Sequence, residues 1–272
     1  MTNDDATYSD ATLSMEIGRA AGRLLMDLRD QYGPIEKADE HRRTELCARG
    51  DLESNALILG MLADRRPGDA VLSEESTDTA ARLSADRVWI VDPLDGTHEY
   101  GQGLAEFAVH IALWDARAGA VIASTVELPA QGVTRCTALE PTARTALPTD
   151  RPIRIVMSRS RGPERIEQIR AHLAELLDHP YGVELCKVGS VGAKVEEVLS
   201  GRAEGYLHDT GFYEWDVAAP YAVARHHGLI AEHLDGSLVT FNHDKPVVRD
   251  LLVCHPALQG SLRAAVEAAG RP

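Results

Sequence analysis

Apolar residues in the first part of the chain recur three or four positions apart, which is the spacing of an amphipathic helix. This pattern predicts a first helix that ends before Gly33 and Pro34, and a second helix over 51–64. Short apolar runs after a turn at 66–69 predict strands. The predicted strands cover 70–73, 88–91, 107–114 and 120–126. The first half of the chain is therefore expected to combine helices with a sheet.

Beyond residue 152, predicted strands and helices alternate. Asp216 is predicted to cap a helix that reaches Arg225, and Gly228 is predicted to end it. The preceding segment 140–152 is rich in Pro, Thr and Ala and shows little periodicity, so we place a domain junction there. The sequence thus predicts an α+β domain over 1–145 and an α/β domain over 146–272, arranged as a layered sandwich of sheets and helices. The strands predicted in this half cover 153–157, 185–188 and 203–208, and the other helices cover 163–177 and 190–199.

The chain of 272 residues carries 28 Lys and Arg against 42 Asp and Glu, a formal net charge of −14. A surface this acidic repels phosphate backbones, which argues against nucleic-acid partners. No apolar run approaches the length of about 20 residues that crosses a bilayer, and the acidic start of the chain has the wrong charge for a secretory signal. Four widely separated cysteines encode no disulfide framework. We expect a cytoplasmic enzyme without a membrane partner, in which divalent cations would neutralise an anionic substrate.

The segment from Trp89 to Thr97 places two carboxylates, Asp92 and Asp95, at the end of an apolar strand and before a Gly-Thr pair. Such a strand end fixes carboxylate oxygens in space, and Gly96 lets backbone N–H groups approach an anion. A helix that begins at Thr97 would add a partial positive charge there. Oxygen ligands are typical of Mg²⁺ sites. On this spacing alone, an ordinary Asp-Gly turn after a strand is the favoured interpretation.

Two further acidic sites change that balance. Glu74 and Glu75 follow another apolar strand directly, and Asp216 lies at the predicted start of a helix with a small first turn. Taken singly, Glu74 and Glu75 are better explained as a solvated loop, and Asp216 as a helix cap. Brought together, these acids would repel one another unless metal ions bound them.

These three segments resemble the signatures of the inositol monophosphatase superfamily, which comprises Mg²⁺-dependent, lithium-sensitive phosphatases. The matching sequences are Glu74-Glu75, the D-P-L-D-G-T run from Asp92 to Thr97, and the W-D-V-A-A run from Trp215 to Ala219. Their order and spacing also match, and the resemblance covers most of the chain. It implies a layered α/β/α/β/α sandwich, two to three Mg²⁺ ions per active site, a small phosphorylated substrate and a homodimer.

The resemblance also implies a role for individual residues. Glu74, Asp92 and the Leu94 carbonyl resemble the ligands of a first metal, and Glu74 would also hold a third, looser one. Asp92, Asp95 and Asp216 resemble the ligands of a second metal. The backbone of Gly96 and Thr97 resembles a phosphate cradle, beside which Leu94, Asp95 and Asp216 would also contact substrate. Asp51 and the Thr97 hydroxyl would together take a proton from the attacking water, and Glu74 completes the catalytic group.

The second half of the chain carries the features that bear on substrate choice. Ser158-Arg159-Ser160 and Glu214 before Trp215 resemble elements of the 3′(2′),5′-bisphosphate nucleotidases, as does the stretch from Gly189 through Ser190 to Lys194. This resemblance implies removal of the 3′-phosphate of 3′-phosphoadenosine 5′-phosphate to give AMP, with Ser158, Arg159, Ser190 and Lys194 facing the nucleotide. Arg161 departs from the family pattern, which often has His at that position.

Several alternatives stay open. The substrate could instead be inositol 1-phosphate, histidinol phosphate or fructose 1,6-bisphosphate, and the chain could be a metal-binding regulator that has lost catalysis. A lone lysine such as Lys194 is about as often a solvated helix residue as a ligand-binding one. His110 on a strand is predicted to be a satisfied core histidine rather than a ligand, and His226-His227 a feature of a helix C-terminus.

Overall fold

The computed structural model describes residues 9–35, 39–142 and 146–270. The acidic start of the chain and residue 145, where the first predicted domain ends, lie outside these ranges, and the division into two domains stays a prediction. Within the described ranges there are seven α-helices and twelve strands. The helices are α1 (Asp10–Tyr32), α2 (Glu40–Arg65), α3 (Thr97–Gly101), α4 (Ile166–Leu177), α5 (Val191–Leu199), α6 (Glu214–His226) and α7 (Gln259–Ala268). The strands are β1 (Ala70–Ser73), β2 (Arg87–Asp95), β3 (Ala108–Asp115), β4 (Ala120–Leu128), β5 (Val133–Cys136), β6 (Ile153–Ser158), β7 (Val183–Val188), β8 (Gly205–His208), β9 (Phe212–Tyr213), β10 (Ile230–Glu232), β11 (Val247–Val248) and β12 (Leu251–Cys254).

Two five-stranded sheets form the frame of the molecule. The first has the strand order β1-β2-β3-β4-β5, with β1 parallel to β2 and the other neighbours antiparallel. The second has the order β10-β12-β8-β6-β7, in which β6 runs parallel to both β7 and β8. Strands β9 and β11 form a small antiparallel sheet of their own, and β9 directly precedes α6 in the chain. No helix among the described residues has the length and apolar character needed to cross a membrane.

The alternation of side chains along the strands produces five layers. In β2, Trp89 and Val91 pack into the core beneath α1 and α2, whereas Val88 and Ile90 belong to the core around α5 and α6. The second sheet covers the other side of α5 and α6, and its far face packs against α4 and α7. The predicted α/β/α/β/α sandwich is therefore confirmed, with one helix layer enclosed between the sheets.

The start of α2 differs from the prediction. The helix begins at Glu40 rather than at Asp51, and the Asp39 side chain caps it by accepting the Arg42 N–H at 3.1 Å. Its first turn is polar, so the apolar spacing that marks the later turns is missing there. Asp51 consequently lies in the middle of a long helix, where its backbone is held on both sides.

Two other helix starts in the second half were also predicted wrongly. Helix α4 begins at Ile166 and not at 163, because the residues after Pro163 form a turn. Asp216 does take part in capping α6, but from inside the helix, because Tyr213 occupies the cap position and Asp216 is the third helical residue. Its carboxylate reaches back to accept the Tyr213 N–H at 2.8 Å. The short strands after residue 228 and helix α7 were not predicted, because their apolar runs are brief.

Helix α5 approaches the first sheet unusually closely at Gly192. A Cβ atom at this position would lie 2.6 Å from His110 Nε2, 2.8 Å from Ala108 Cβ and 2.9 Å from Val126 Cγ1. Contacts that short require a shift of the helix or of both strands. The absence of a side chain at Gly192 therefore sets the distance between the middle helix layer and the sheet.

We expect Gly192→Ala to lower the free energy of unfolding by about 1–3 kcal/mol, the usual cost of overpacking a filled core. Urea denaturation followed by circular dichroism measures this change. Gly60→Ala is the matched control, because nothing lies within 4 Å of its added Cβ. The control should be neutral or stabilising by up to about 1 kcal/mol, as alanine favours a helix interior. Equal stability of the Gly192→Ala variant and the wild type would contradict the close approach.

Candidate active site

The predicted acidic residues meet where three elements end or begin. Strands β1 and β2 run parallel, so Glu74 after β1 and Asp92 near the end of β2 lie at the same edge of the sheet. The Glu74 N–H donates to the Val91 carbonyl at 3.2 Å, which holds the two strand ends together. Helix α6 begins beside them and contributes Asp216 from the second half of the chain.

A bulge in β2 turns both of its aspartates to one face of the sheet. Asp92 pairs with His110 and Asp95 pairs with Ala108, so three steps along β2 match two steps along β3. In a regular strand, residues three apart point to opposite faces, and one extra residue reverses this. Asp92 and Asp95 can therefore both face the middle helix layer.

One carboxylate oxygen from each of Asp92, Asp95 and Asp216 lies within 4.8 Å of the others. Burial, and then repulsion by Glu74 and Asp95, raises the pKa of Asp92 well above its ordinary value. Burial first and like charge second also raise the pKa of Asp216 to about 6 and that of Glu74 to about 7. Acids brought together in this way favour the binding of a cation, and an all-oxygen set suits Mg²⁺. The structure thus brings three of the predicted metal ligands, Asp92, Asp95 and Asp216, into one cluster, with Glu74 and Leu94 lining the same cleft.

Asp95 differs electrostatically from its neighbours. Burial acts to raise the pKa of this carboxylate, but His110, Lys194 and the Gly192 N–H outweigh that effect and lower the pKa below its ordinary value. The Gly192 N–H, in the first turn of α5, donates to Asp95 Oδ2 at 2.8 Å. Asp95 is therefore the member of the cluster most strongly held in its charged form.

The Thr97 hydroxyl lies between the cluster and Asp51. Its Oγ1 atom is 3.0 Å from the Leu94 carbonyl oxygen and 3.4 Å from Asp51 Oδ1. Burial, followed by repulsion from Glu75, raises the pKa of Asp51 to about 7. A carboxyl group with that pKa can accept a proton near neutral pH. The predicted contact of Asp51 with Thr97 is confirmed, although the Leu94 carbonyl is the nearer acceptor.

Helix α3 begins at Thr97, as predicted, and Gly96 precedes it in the left-handed region with φ 87°. A Cβ atom at Gly96 would lie 2.9 Å from both the Glu106 carbonyl oxygen and Ser190 Cβ. A side chain is therefore excluded by conformation and by space. The backbone at Gly96 and Thr97 lies open to the cleft above the carboxylates.

A cleft of about 220 Å³ lies above the cluster and is lined by both halves of the chain. Every predicted site residue lines this cleft except Asp51, which contacts the Thr97 hydroxyl but is not part of the lining. A larger cavity of about 600 Å³ near α1 and α3 contains none of the clustered carboxylates, so we place the chemistry in the smaller one. The predicted residues along the cleft are Glu74, Asp92, Leu94, Asp95, Gly96, Thr97, Ser158, Arg159, Ser190, Lys194 and Asp216.

The predicted nucleotide-facing residues also hold the walls of this cleft. Ser190 caps α5 by accepting the Ala193 N–H at 2.9 Å, and Ser158 accepts the Arg161 N–H at 3.2 Å. The Arg159 guanidinium forms ion pairs with Glu99, at 2.9 Å, and with Glu106. Arg159 therefore ties the loop after β6 to the first half of the chain, and its charge is balanced by two carboxylates.

Lys194 is buried, with 4% of its surface exposed, so the interpretation as a solvated helix residue was wrong. Its ammonium group donates to the Gly189 carbonyl and lies 5.4 Å from the centre of the Tyr206 ring. Burial lowers the pKa of Lys194 to about 8, although Asp95 and Glu99 act in the opposite sense. Lys194 thus places a positively charged group in the wall of the cleft, largely shielded from solvent.

Arg161 lines the cleft but was not among the predicted site residues. Its exposed side chain lines the cleft, and its charge acts on Lys194, Tyr206 and Asp216. Over the described ranges it has neither an ion pair nor a side-chain hydrogen bond. The departure from the family motif at this position was itself the available signal, because it exchanges a histidine for a permanent cation.

The histidines near the site were predicted with mixed success. His110 lies in the core as expected, but neither ring nitrogen has a partner in hydrogen-bond geometry among the described residues, so it is not a satisfied one. His226 lies in the last turn of α6 and contacts the Leu139 carbonyl, and His227 caps the helix, which confirms the helix C-terminal prediction.

Glu214 is fully buried and accepts the backbone N–H groups of Asn242 and His243, so it supports α6 rather than lining the cleft.

Comparison with known proteins agrees with this arrangement. The 3′-phosphoadenosine 5′-phosphate phosphatase of Mycobacterium leprae is 39% identical over 95% of both chains. An inositol-1-monophosphatase of Mesorhizobium japonicum is 29% identical over 82% of this chain and 83% of its own. The crystal structure of CysQ from Bacteroides thetaiotaomicron, a bacterial member of the inositol monophosphatase family, superposes with a TM-score of 0.69 at 25% identity, covering 91% of this chain and 97% of that one.

The model of the inositol monophosphatase family matches residues 9–271, which include both sheets and every residue of the carboxylate cluster. With the five-layered fold and the cluster at the strand ends, this match shows that the chain belongs to the inositol monophosphatase family.

Proposed function

We propose that the protein is a Mg²⁺-dependent phosphomonoesterase that removes the 3′-phosphate of 3′-phosphoadenosine 5′-phosphate to give AMP. The observation that carries the proposal is the cluster of Asp92, Asp95 and Asp216 in a cleft that Arg161 and Lys194 also line. The similarity to the phosphatase of Mycobacterium leprae over nearly the whole chain supports the choice of substrate.

The carboxylate cluster is the proposed metal centre. Glu74, Asp92 and the Leu94 carbonyl would hold one ion, and Asp92, Asp95 and Asp216 a second, so that Asp92 bridges them. Glu74 would also contribute to a third. Bound Mg²⁺ would neutralise the phosphoryl oxygens and lower the pKa of a water molecule. Among the described residues, oxygen atoms dominate the cluster, which fits a hard cation.

Asp51 and Thr97 are the proposed proton acceptors. The Thr97 Oγ1 atom faces the cleft and contacts Asp51 Oδ1 at 3.4 Å, so a proton lost by water can pass through the hydroxyl to the carboxylate. The pKa of Asp51, raised to about 7 by burial, suits a group that must gain and release a proton at neutral pH. The backbone of Gly96 and Thr97 would hold the phosphate in place meanwhile.

The second phosphate of the substrate is the proposed basis of selectivity. In a chain of net charge −14, a bisphosphate needs local cations. Arg159 is engaged by Glu99 and Glu106, whereas Arg161 extends into the cleft and Lys194 lies beneath it. Arg161 would therefore contact the 5′-phosphate directly, with Ser158, Ser190 and Lys194 forming the wall behind the nucleoside.

A panel of phosphate esters tests the substrate class. With Mg²⁺ present, phosphate release should be fastest from 3′-phosphoadenosine 5′-phosphate, ahead of inositol 1-phosphate, histidinol phosphate and fructose 1,6-bisphosphate. A preference for inositol 1-phosphate would support the runner-up activity, toward which the relative from Mesorhizobium japonicum points. If none of these esters is hydrolysed, the remaining interpretation is a metal-binding regulator that has lost catalysis.

A cytoplasmic location and a homodimer complete the proposal. All four cysteines are free thiols in the structure, as is usual in a reducing compartment. Light scattering coupled to size-exclusion chromatography measures the oligomeric state. A mass of one chain alone would exclude the homodimer.

Asp92→Asn should be the most damaging single change, because Asp92 is proposed to bridge both metals. We expect kcat to fall on the order of 10³-fold or more. Mg²⁺ should raise the melting temperature of the wild type but not that of the variant, since only a ligand that binds the native state stabilises it. Asp64→Asn makes the same chemical change at an exposed position and should retain both properties. Turnover by Asp92→Asn at the wild-type rate would contradict the metal assignment.

Thr97→Ala should lower kcat by about 10²-fold or more with little change in KM. The substitution removes the hydroxyl that contacts Asp51 but leaves the backbone N–H groups that would hold phosphate. Steady-state kinetics separates the two parameters. Thr97→Ser keeps the hydroxyl and should keep most of the activity, whereas a rise in KM alone for Thr97→Ala would mean that the residue binds rather than activates.

Arg161→Ala should reduce the preference for 3′-phosphoadenosine 5′-phosphate over adenosine 3′-phosphate, which lacks the second phosphate. Loss of one charge-assisted contact costs about 1.5–3 kcal/mol, or about 10- to 100-fold in kcat/KM for the bisphosphate. The monophosphate should be hydrolysed as before. Arg117→Ala, in the turn after β3, removes the same charge at a position outside the cleft lining and should change neither substrate. Equal losses on both substrates would show that Arg161 does not contact the 5′-phosphate.

A further inference from the structure

His110 lies directly beneath the carboxylate cluster. It pairs with Asp92 across β2 and β3, and with Ala108 it belongs to the face of β3 that packs on the middle helix layer. Its side chain is completely buried. The Nε2 atom is 3.2 Å from Asp95 Oδ2, and the Nδ1 atom is 4.0 Å from Asp92 Oδ2. The ring therefore faces the two aspartates of β2 from the protein interior.

The burial of the His110 imidazole at this place is energetically unfavourable by itself. Burying a polar ring without hydrogen bonds costs free energy that an aliphatic side chain of similar size would not cost. The ring is also tightly enclosed. A Cβ atom at position 192 would lie 2.6 Å from Nε2, so any residue larger than glycine there would collide with the imidazole. The surrounding structure thus holds the imidazole in a fixed position against Asp95.

Each clustered aspartate has one oxygen fixed by a backbone donor. The Leu94 N–H donates to Asp92 Oδ1 at 3.0 Å, the Gly192 N–H to Asp95 Oδ2 at 2.8 Å, and the Tyr213 N–H to Asp216 Oδ2 at 2.8 Å. Asp95 alone among the three also has a side-chain nitrogen within hydrogen-bond distance of that same oxygen. The Gly192 N–H and the His110 Nε2 atom both contact Oδ2, so Oδ1 is the oxygen of Asp95 that neither of them contacts.

We propose that His110 is a positioning residue for the metal centre, which fixes the Asp95 carboxylate through the Nε2 side of its ring so that the other oxygen is presented to a divalent cation. The inference rests on the proposed function, since it assumes that the cluster binds Mg²⁺. Residues behind a metal ligand commonly change metal affinity by about 10- to 100-fold when they are replaced.

Three substitutions separate positioning from packing. A glutamine amide can place an N–H near the position of Nε2, and an asparagine amide near that of Nδ1, whereas leucine fills the space without a donor. We expect the Mg²⁺ dissociation constant, measured by titration calorimetry without substrate, to stay within a few-fold of the wild type in His110→Gln. It should rise about 10- to 100-fold in His110→Asn and His110→Leu.

The outcomes are distinct. If His110→Leu does not fold, as judged by circular dichroism, the comparison of the Asn and Gln variants carries the test alone. Equal Mg²⁺ affinity in all variants, equal loss in the Gln and Asn variants, or tighter binding without the ring would each overturn the positioning role. A wild-type protein that binds no Mg²⁺ would overturn the metal-dependent function itself, and this is seen before any variant is measured.

Discussion

Mutual repulsion among buried carboxylates is the constraint around which this protein is arranged. Asp92, Asp95 and Asp216 bring oxygens within 4.8 Å of one another, and burial with like charge raises the pKa of Asp92 and Asp216. Such a cluster destabilises a fold unless donors and a cation compensate it. The surrounding elements supply donors: a bulge in β2, the first turn of α5 and the start of α6 each place a backbone N–H on one of the aspartates.

The middle helix layer connects this cluster to the rest of the cleft. Helices α5 and α6 come from the second half of the chain but pack on the face of the first sheet that carries Asp92 and His110. The ion pairs of Arg159 with Glu99 and Glu106, together with the Glu106 contact to the Gly189 N–H at 2.7 Å, join the two walls. The acids therefore come mainly from one half of the chain, while the second half provides the cations that line the same cleft of about 220 Å³.

Local sequence was sufficient for the elements with strong periodicity and for the identity of the acidic residues. Strand β1, the end of α1 at Gly33 and the start of α3 at Thr97 agree with the pattern, because each depends on neighbours within a few residues. The start of α2 was missed, because a polar first turn leaves no apolar spacing to read. Asp216 was identified, although its place inside α6 depends on a contact with Tyr213 that forms only in the folded helix.

What the sequence by itself determined is therefore the fold class, the family motifs and the chemistry of the acidic side chains. The tertiary structure alone decided how charges and burial are distributed among them. Lys194 is buried, Arg159 is engaged by two glutamates, Arg161 extends into the cleft, and His110 lies against Asp95. Arg159 contacts glutamates 60 and 53 positions away in the chain. His110 contacts Asp95 on the neighbouring strand, next to the bulge in β2, and the exposure of Lys194 and Arg161 depends on how the layers pack. None of these relations is encoded in local spacing. Electrostatic environment is a property of the assembled layers, because it depends on which charges and how much protein surround a group in space.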